Sequence, residues 1–182
     1  GDLGRSFSTA LDDLGQNRPK AASDAAAALA KGDDPTYRAL ALMLQGDAAA
    51  GKGDLRTAAA RFGTVAADEE VAQPLRDTAL LRQTLAEFDT LEPAAIITRL
   101  RGLVAQPGPA FASAAELTAL AEMRRGNDAA AGALFKRIAE TEGVSDSLKS
   151  RAVQMAGMLG VDAVRQTADG ATTRRPNETK SG

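Results

Sequence analysis

The side chains able to do chemistry in this sequence are carboxylates, and they come in clusters: Asp12-Asp13, Asp33-Asp34 and Asp68-Glu69-Glu70. Two facing carboxyl groups could divide general-acid and general-base work. Each cluster, however, falls at a predicted helix end or inter-helix turn, where capping and solvation account for acidic residues. The stretch from Gly46 through Gly51-Lys52 has the spacing of a phosphate-binding loop. Gly53 stands where that loop needs a hydroxyl for Mg²⁺, and no strand precedes it, so a helix end followed by a turn is the better reading. Cysteine and histidine are both absent. A thiolate nucleophile, an imidazole base, a disulfide and a Cys/His metal site are thereby excluded. Catalytic residues, metal and cofactor are all expected to be none.

Basic residues give no stronger lead. Arg124-Arg125, Lys136-Arg137 and Arg174-Arg175 fall at a helix end, on a helix surface and in the C-terminal tail, with no aromatic residues between them. Solvated surface is expected rather than a nucleic-acid contact. The formal net charge over 182 residues is −2, too small to draw the chain to nucleic acid or anionic lipid. Residues 1–91 carry 10 Lys/Arg against 14 Asp/Glu and residues 92–182 carry 12 against 10, a mild asymmetry that names no partner. Aromatic residues make up 3% of the chain and tryptophan is missing, which argues against base stacking. No run approaches the ~20 apolar residues that cross a bilayer. The opening glycine, where a methionine would begin translation, raises the expectation of a segment upstream.

The elements that would position any site are helices. Ala, Leu, Arg, Gln and Glu dominate, and no segment alternates with period two. The pattern predicts helices over about 5–14, 17–31, 37–50, 54–68, 73–88, 93–106, 110–125, 128–140 and 146–159, punctuated by glycine, proline and Asp/Asn/Ser caps. The organising stretch is Gly53 to Val65, GDLRTAAARFGTV, with a near copy at Gly126 to Ile138, GNDAAAGALFKRI. In the first, Ala58, Phe62 and Val65 share one helical face; in the second, Ala131, Phe135 and Ile138 do. Ala22-Ala26-Leu29 and Ile96-Leu100-Leu103 occupy the same offsets. The four seams follow one another at steps of 36, 38 and 35 residues, near the ~34-residue period of tetratricopeptide repeats. The segment LRDTAL from Leu75 is echoed by LKSRAV from Leu148, 73 residues later. These residues are the expected repeat-packing set. The alanine-heavy first pair is expected to be the softest end.

The resulting expectation is an all-α, tetratricopeptide-like right-handed α-solenoid of about four helix-turn-helix units plus a C-terminal capping helix. It would span residues 1–165, followed by a disordered polar tail over 166–182. The first helix of each unit would line a concave surface. Counting back 19 residues from Phe62, Leu100 and Phe135 gives Met43, Leu81 and Glu116; counting back 15 gives Asp47, Leu85 and Leu120. The 73-residue step from Leu81 and Leu85 adds Gln154 and Met158. With Met123 these form a candidate partner-binding groove, a soft wall of methionine and leucine. The Lys and Asn residues with which tetratricopeptide co-chaperones clamp a terminal carboxylate are missing from these places, so an acidic C-terminal peptide is not the expected ligand.

The segments LRDTALLRQ, FDTLEPAAIITRLRGL, AQPGPAFASAAELTAL, RRGNDAAAGALFKRIAE and SRAVQMAGMLGVDAV occur in one order between Leu75 and Val164. In that order the chain resembles the tetratricopeptide-like domain of YfgM-type proteins of alphaproteobacteria. With the Gly46–Glu70 unit the resemblance covers most of residues 36–165. It implies a helical domain on the periplasmic side of the bacterial inner membrane, held by a single-pass N-terminal anchor upstream of Gly1. It further implies an ancillary subunit of the Sec translocon that works with periplasmic chaperones, and it brings no catalytic residues. The expected partners are therefore proteins: translocon subunits, periplasmic chaperones or unfolded chains, with no nucleic acid. The alternative is a structural, self-associating scaffold of the cell envelope that binds no client.

Overall fold

The computed structural model describes residues 1–16 and 19–161. Within them lie nine α-helices and no strand: α1 (Asp2–Gly15), α2 (Pro19–Leu29), α3 (Pro35–Gly51), α4 (Leu55–Ala67), α5 (Gln73–Ala86), α6 (Pro93–Ala105), α7 (Phe111–Arg124), α8 (Asp128–Glu140) and α9 (Asp146–Met158). The tail expected over 166–182, and the 165 boundary, lie outside the described residues.

Local chemistry explains the ends. Asp34 accepts hydrogen bonds from the Thr36 and Tyr37 N–H groups at 2.9 and 3.1 Å, so α3 starts at Pro35, two residues before its expected start. Asp54 caps α4 through the Thr57 N–H at 3.1 Å, and Asn127 caps α8 through the Ala130 N–H at 3.4 Å. Prolines open α2, α3 and α6, where a missing N–H costs nothing. At Ser145, the expected cap of α9, the side chain makes no capping hydrogen bond. α1 begins a turn earlier than expected, and α5 ends at Ala86 rather than Phe88.

Three helices end in one device. After α3, α7 and α9 the glycines Gly53, Gly126 and Gly160 take φ of 79°, 80° and 78°, a left-handed conformation that costs glycine little. The next N–H then reaches back over the last turn: Asp54 to the Ala49 carbonyl at 2.9 Å, Asn127 to Glu122 at 2.9 Å, Val161 to Ala156 at 2.8 Å. In the first two cases the residue after glycine also caps the following helix. One dipeptide thus ends a helix, reverses the chain and starts the next.

The core is a series of clusters. Ala58, Phe62 and Val65 pack with Ala39, Leu42, Met43 and Ala79. Ala131, Phe135 and Ile138 pack with Phe111, Ala115, Ala119, Ala152 and Ala156. Ile96 and Leu100 join Ala114 and Ala121, while Ala26 and Leu29 meet Ala41 in a smaller group. Every seam residue is buried except Leu103, which is half-buried. Substantial helix–helix approaches join most sequence neighbours, with a weaker one between α2 and α3 and thin ones between α5 and α6, α1 and α3, α3 and α5, and α5 and α7. This linear chain of contacts is consistent with an α-solenoid.

Glycine also works inside helices. A Cβ built on Gly46 would lie 2.5 Å from the Phe62 ring, closer than packed carbon atoms come; the ring occupies the notch that the missing side chain leaves. A Cβ on Gly102 would meet nothing within 4 Å. Gly46→Ala should therefore destabilise the chain by about 1–3 kcal/mol through overpacking. Gly102→Ala should stabilise it by about 0.5–1 kcal/mol by removing backbone freedom from a helix interior. Chemical denaturation of the two variants beside the parent checks the opposite signs.

Candidate interaction surface

Helices α3, α5, α7 and α9 bring only part of the expected groove together. Met43 is 6% exposed and packs in the Phe62 cluster, so it is core and not groove. On α3 it lies between Ala39 and Gly46, at i−4 and i+3, on the stripe that faces α4. Leu81 is half-buried against Ile96 and Leu100, and Leu120 and Met123 are half-buried against the Phe135 cluster. Leu85 is 62% exposed and Met158 78%; Gln154 is also exposed. The continuous apolar wall is therefore reduced to two protruding side chains with half-buried neighbours. A first helix packed between its neighbours leaves a narrow solvent stripe, and positions one turn apart can fall on either side of its edge.

The charged members of the groove bind within the chain. Asp47 on α3 pairs with Arg82 on α5 at 2.5 Å. Glu116 on α7 accepts two hydrogen bonds from Arg151 on α9, at 2.6 and 3.1 Å, which also raises the guanidinium pKa. Further arginines do the same. Arg38 holds Asp68 and Glu70 at 2.8 and 3.0 Å. Arg99 pairs with Glu87. Arg124 donates to the Phe88 carbonyl and lies 5.1 Å from that ring centroid. Arg137 donates to the Val104 carbonyl at 3.1 Å and lies 4.8 Å from the Phe111 ring.

Arg124, Arg125 and Arg137 are exposed, in keeping with the expected solvated surface, and Lys136 is half-buried; each also makes contacts within the chain. Arg124 and Arg137 stack on aromatic rings, Arg125 pairs with Glu122 at 2.8 Å, and Lys136 stands 3.7 Å from Glu140; Arg174-Arg175 lies outside the described residues. The sequence held a signal for the long pairs. Asp47–Arg82 and Glu116–Arg151 are each 35 residues apart, Phe88–Arg124 36 and Val104–Arg137 33, the spacing of the apolar seams.

The acidic clusters are structural where their contacts are seen. Asp34 is a cap, and Asp68 accepts the Glu70 N–H at 3.1 Å besides holding Arg38. Hydrogen bonding from Arg38, then from the Glu70 N–H, holds the Asp68 carboxyl below the usual aspartate range. Hydrogen bonding from Thr57 does the same for Asp54. The Gly46–Gly51 stretch lies inside α3, so its N–H groups close helical hydrogen bonds instead of cradling a phosphate. Among the described residues, no group of three or more carboxylates could hold a metal ion, and no helix is long and apolar enough to cross a membrane.

Two open clefts lie beside the stack. One, of about 610 Å³, has an alanine floor from α2 and α3 with Lys52 and Arg61 at its rim. The other, of about 710 Å³, lies between α4 and the end of α5, with Leu55, Ala59 and Ala86 in its lining. Site and fold together define an all-helical stack in which several arginines join neighbouring helices. Comparison with protein-family models, characterised proteins and solved structures returned no match.

The Arg38–Asp68 contact carries a pH signature. With its folded pKa below the unfolded value near ~3.9, Asp68 contributes stability that is complete above that value and is lost as pH falls through the folded pKa. Asp68→Asn should be less stable than the parent at neutral pH, with the difference closing below about pH 4. Urea denaturation across a pH series measures the convergence; parallel curves down to strong acid would refute it.

Proposed function

We propose that the chain is a non-catalytic protein-interaction module, a tetratricopeptide-like right-handed α-solenoid with α9 as its capping helix. In this reading it is the periplasmic domain of a YfgM-type ancillary translocon subunit, tethered to the inner membrane by a segment upstream of residue 1. The observation that carries the reading is the exposure of Leu85 on α5 and Met158 on α9. Large apolar side chains left in water on a rigid scaffold suit transient contact with apolar segments. Half-buried Leu81, Leu120 and Met123 would border the contact, with Gln154 at its polar edge. Leucine and methionine adapt to many sequences, as contact with emerging chains or several chaperones requires. The resemblance in segment order over residues 36–165 supplies the cellular setting. Tethering near the translocon raises effective concentration, so each contact can be weak.

Photo-crosslinking residues placed at 85 and 158 in the membrane-anchored protein should capture translocon subunits, periplasmic chaperones or translocating chains. The double variant Leu85→Glu/Met158→Glu should lose that capture while keeping its denaturation midpoint, since both side chains are exposed. Crosslinks only between copies of the chain would instead identify a self-associating scaffold.

A further inference from the structure

The stack is not equally close along its length. Backbones approach closely between α3 and α4, α4 and α5, α6 and α7, α7 and α8, and α8 and α9. Between α5 and α6, and between α5 and α7, the approach is thin. The connection there, like those from α4 to α5 and from α6 to α7, lacks a left-handed glycine and a side-chain cap. α3 passes to α4, and α7 to α8, through a left-handed glycine and a capping residue. α5 passes to α6 through residues 87–92, with no positive-φ glycine, and α6 begins at Pro93 behind Glu92, whose side chain makes no cap.

What joins the two blocks is side-chain reach. Leu80, Leu81, Phe88 and Leu91 extend onto Ile96, Leu100, Ala114 and Ala121. Two arginines of the second block hold the first block's last two anchor points. Arg99 of α6 pairs with Glu87, both about one-quarter exposed, and Arg124 of α7 takes the Phe88 carbonyl and covers its ring. Beside this junction the 710 Å³ cleft, lined by Gln83, Ala86, Glu87, Asp89 and Thr90 from the α5 side, leaves α4 uncovered.

We infer that residues 87–92 form a latched joint, about which the α1–α5 block and the α6–α9 block rotate when Arg99 and Arg124 release Glu87 and Phe88. A short connection between two well-packed bodies can absorb a change in backbone angles that neither body can. Opening the joint stretches the interface bridged by Leu80, Leu81 and Phe88. Leu85 lies on one side of the joint and Met158 on the other, so the rotation sets the span between them. The joint requires no partner and stands apart from the proposed function.

The chain contains no cysteine, so spin labels on introduced cysteines report only the chosen sites. Three exposed pairs suffice: Arg56→Cys/Arg101→Cys across the joint, Arg56→Cys/Thr78→Cys within the first block and Arg101→Cys/Ser113→Cys within the second. Electron–electron distance measurement on the isolated protein should give a broader distribution across the joint than within either block. Adding Glu87→Gln and Arg124→Ala should shift and broaden the cross-joint distribution alone, with helical circular dichroism and the two control distances unchanged. A cross-joint distribution as narrow as the controls overturns the joint. A broad one that the two latch substitutions leave in place overturns the latch. Control distances that move with it reduce the effect to general loosening and overturn both.

Discussion

A two-helix unit cannot bury its own apolar stripe, and the whole structure follows from that constraint. Each Ala-Phe-Val or Ile-Leu-Leu seam has to be covered by a neighbouring helix, so the units are stable only side by side. Alanine lets backbones approach, and the larger residue three or four positions on fills what is left. Phe62 shows the fit most plainly, since its ring lies where Gly46 would carry a Cβ. Fully burying such a side chain stabilises by about 1.5–3 kcal/mol. Four seams at steps of 36, 38 and 35 residues together outweigh any single polar contact in the molecule.

The polar contacts have a different part. An exposed ion pair contributes roughly 0–1 kcal/mol, so pairs such as Asp47–Arg82 add little stability one by one. Their regularity matters more. Arg82, Arg124, Arg137 and Arg151 reach back 33–36 residues to a carboxylate or a carbonyl. Guanidinium groups suit this work because the planar fork binds a carboxylate bidentately, as Arg151 does with Glu116, and stacks on a ring, as Arg124 and Arg137 do. The apolar seams drive the helices together, and the arginines help decide which turn meets which.

This economy bears on function. Methionine and leucine on the first helices are mostly drawn into the stack, and most of the well-placed charges are spent inside it. The side chains left to meet another molecule are the ones the packing does not need, Leu85 and Met158 foremost. Such a surface suits weak contact with varied apolar segments. The junction between α5 and α6 adds a degree of freedom to that surface, because it lies between α5, which carries Leu85, and α9, which carries Met158.

Helix number, helix ends to within a few residues, and the buried seams were legible in the amino-acid order, because caps, prolines, C-terminal glycines and the 3.6-residue period act through neighbours in the chain. The four-seam alignment worked for the same reason: a buried stripe repeats wherever the same local unit repeats. Met43 was placed on a surface because counting residues locates a turn of helix without showing which neighbour covers it. The long arginine contacts, such as Asp47–Arg82 and Glu116–Arg151, escaped notice because each depends on where a residue 35 positions away comes to lie. The parting of α5 from α6 has the same origin, since connections without the glycine reversal also join the closely packed α4–α5 and α6–α7. Local order thus determined the helices and their apolar faces, and tertiary packing alone decided which side chains remained in water, because exposure belongs to the neighbours of a residue as much as to the residue itself.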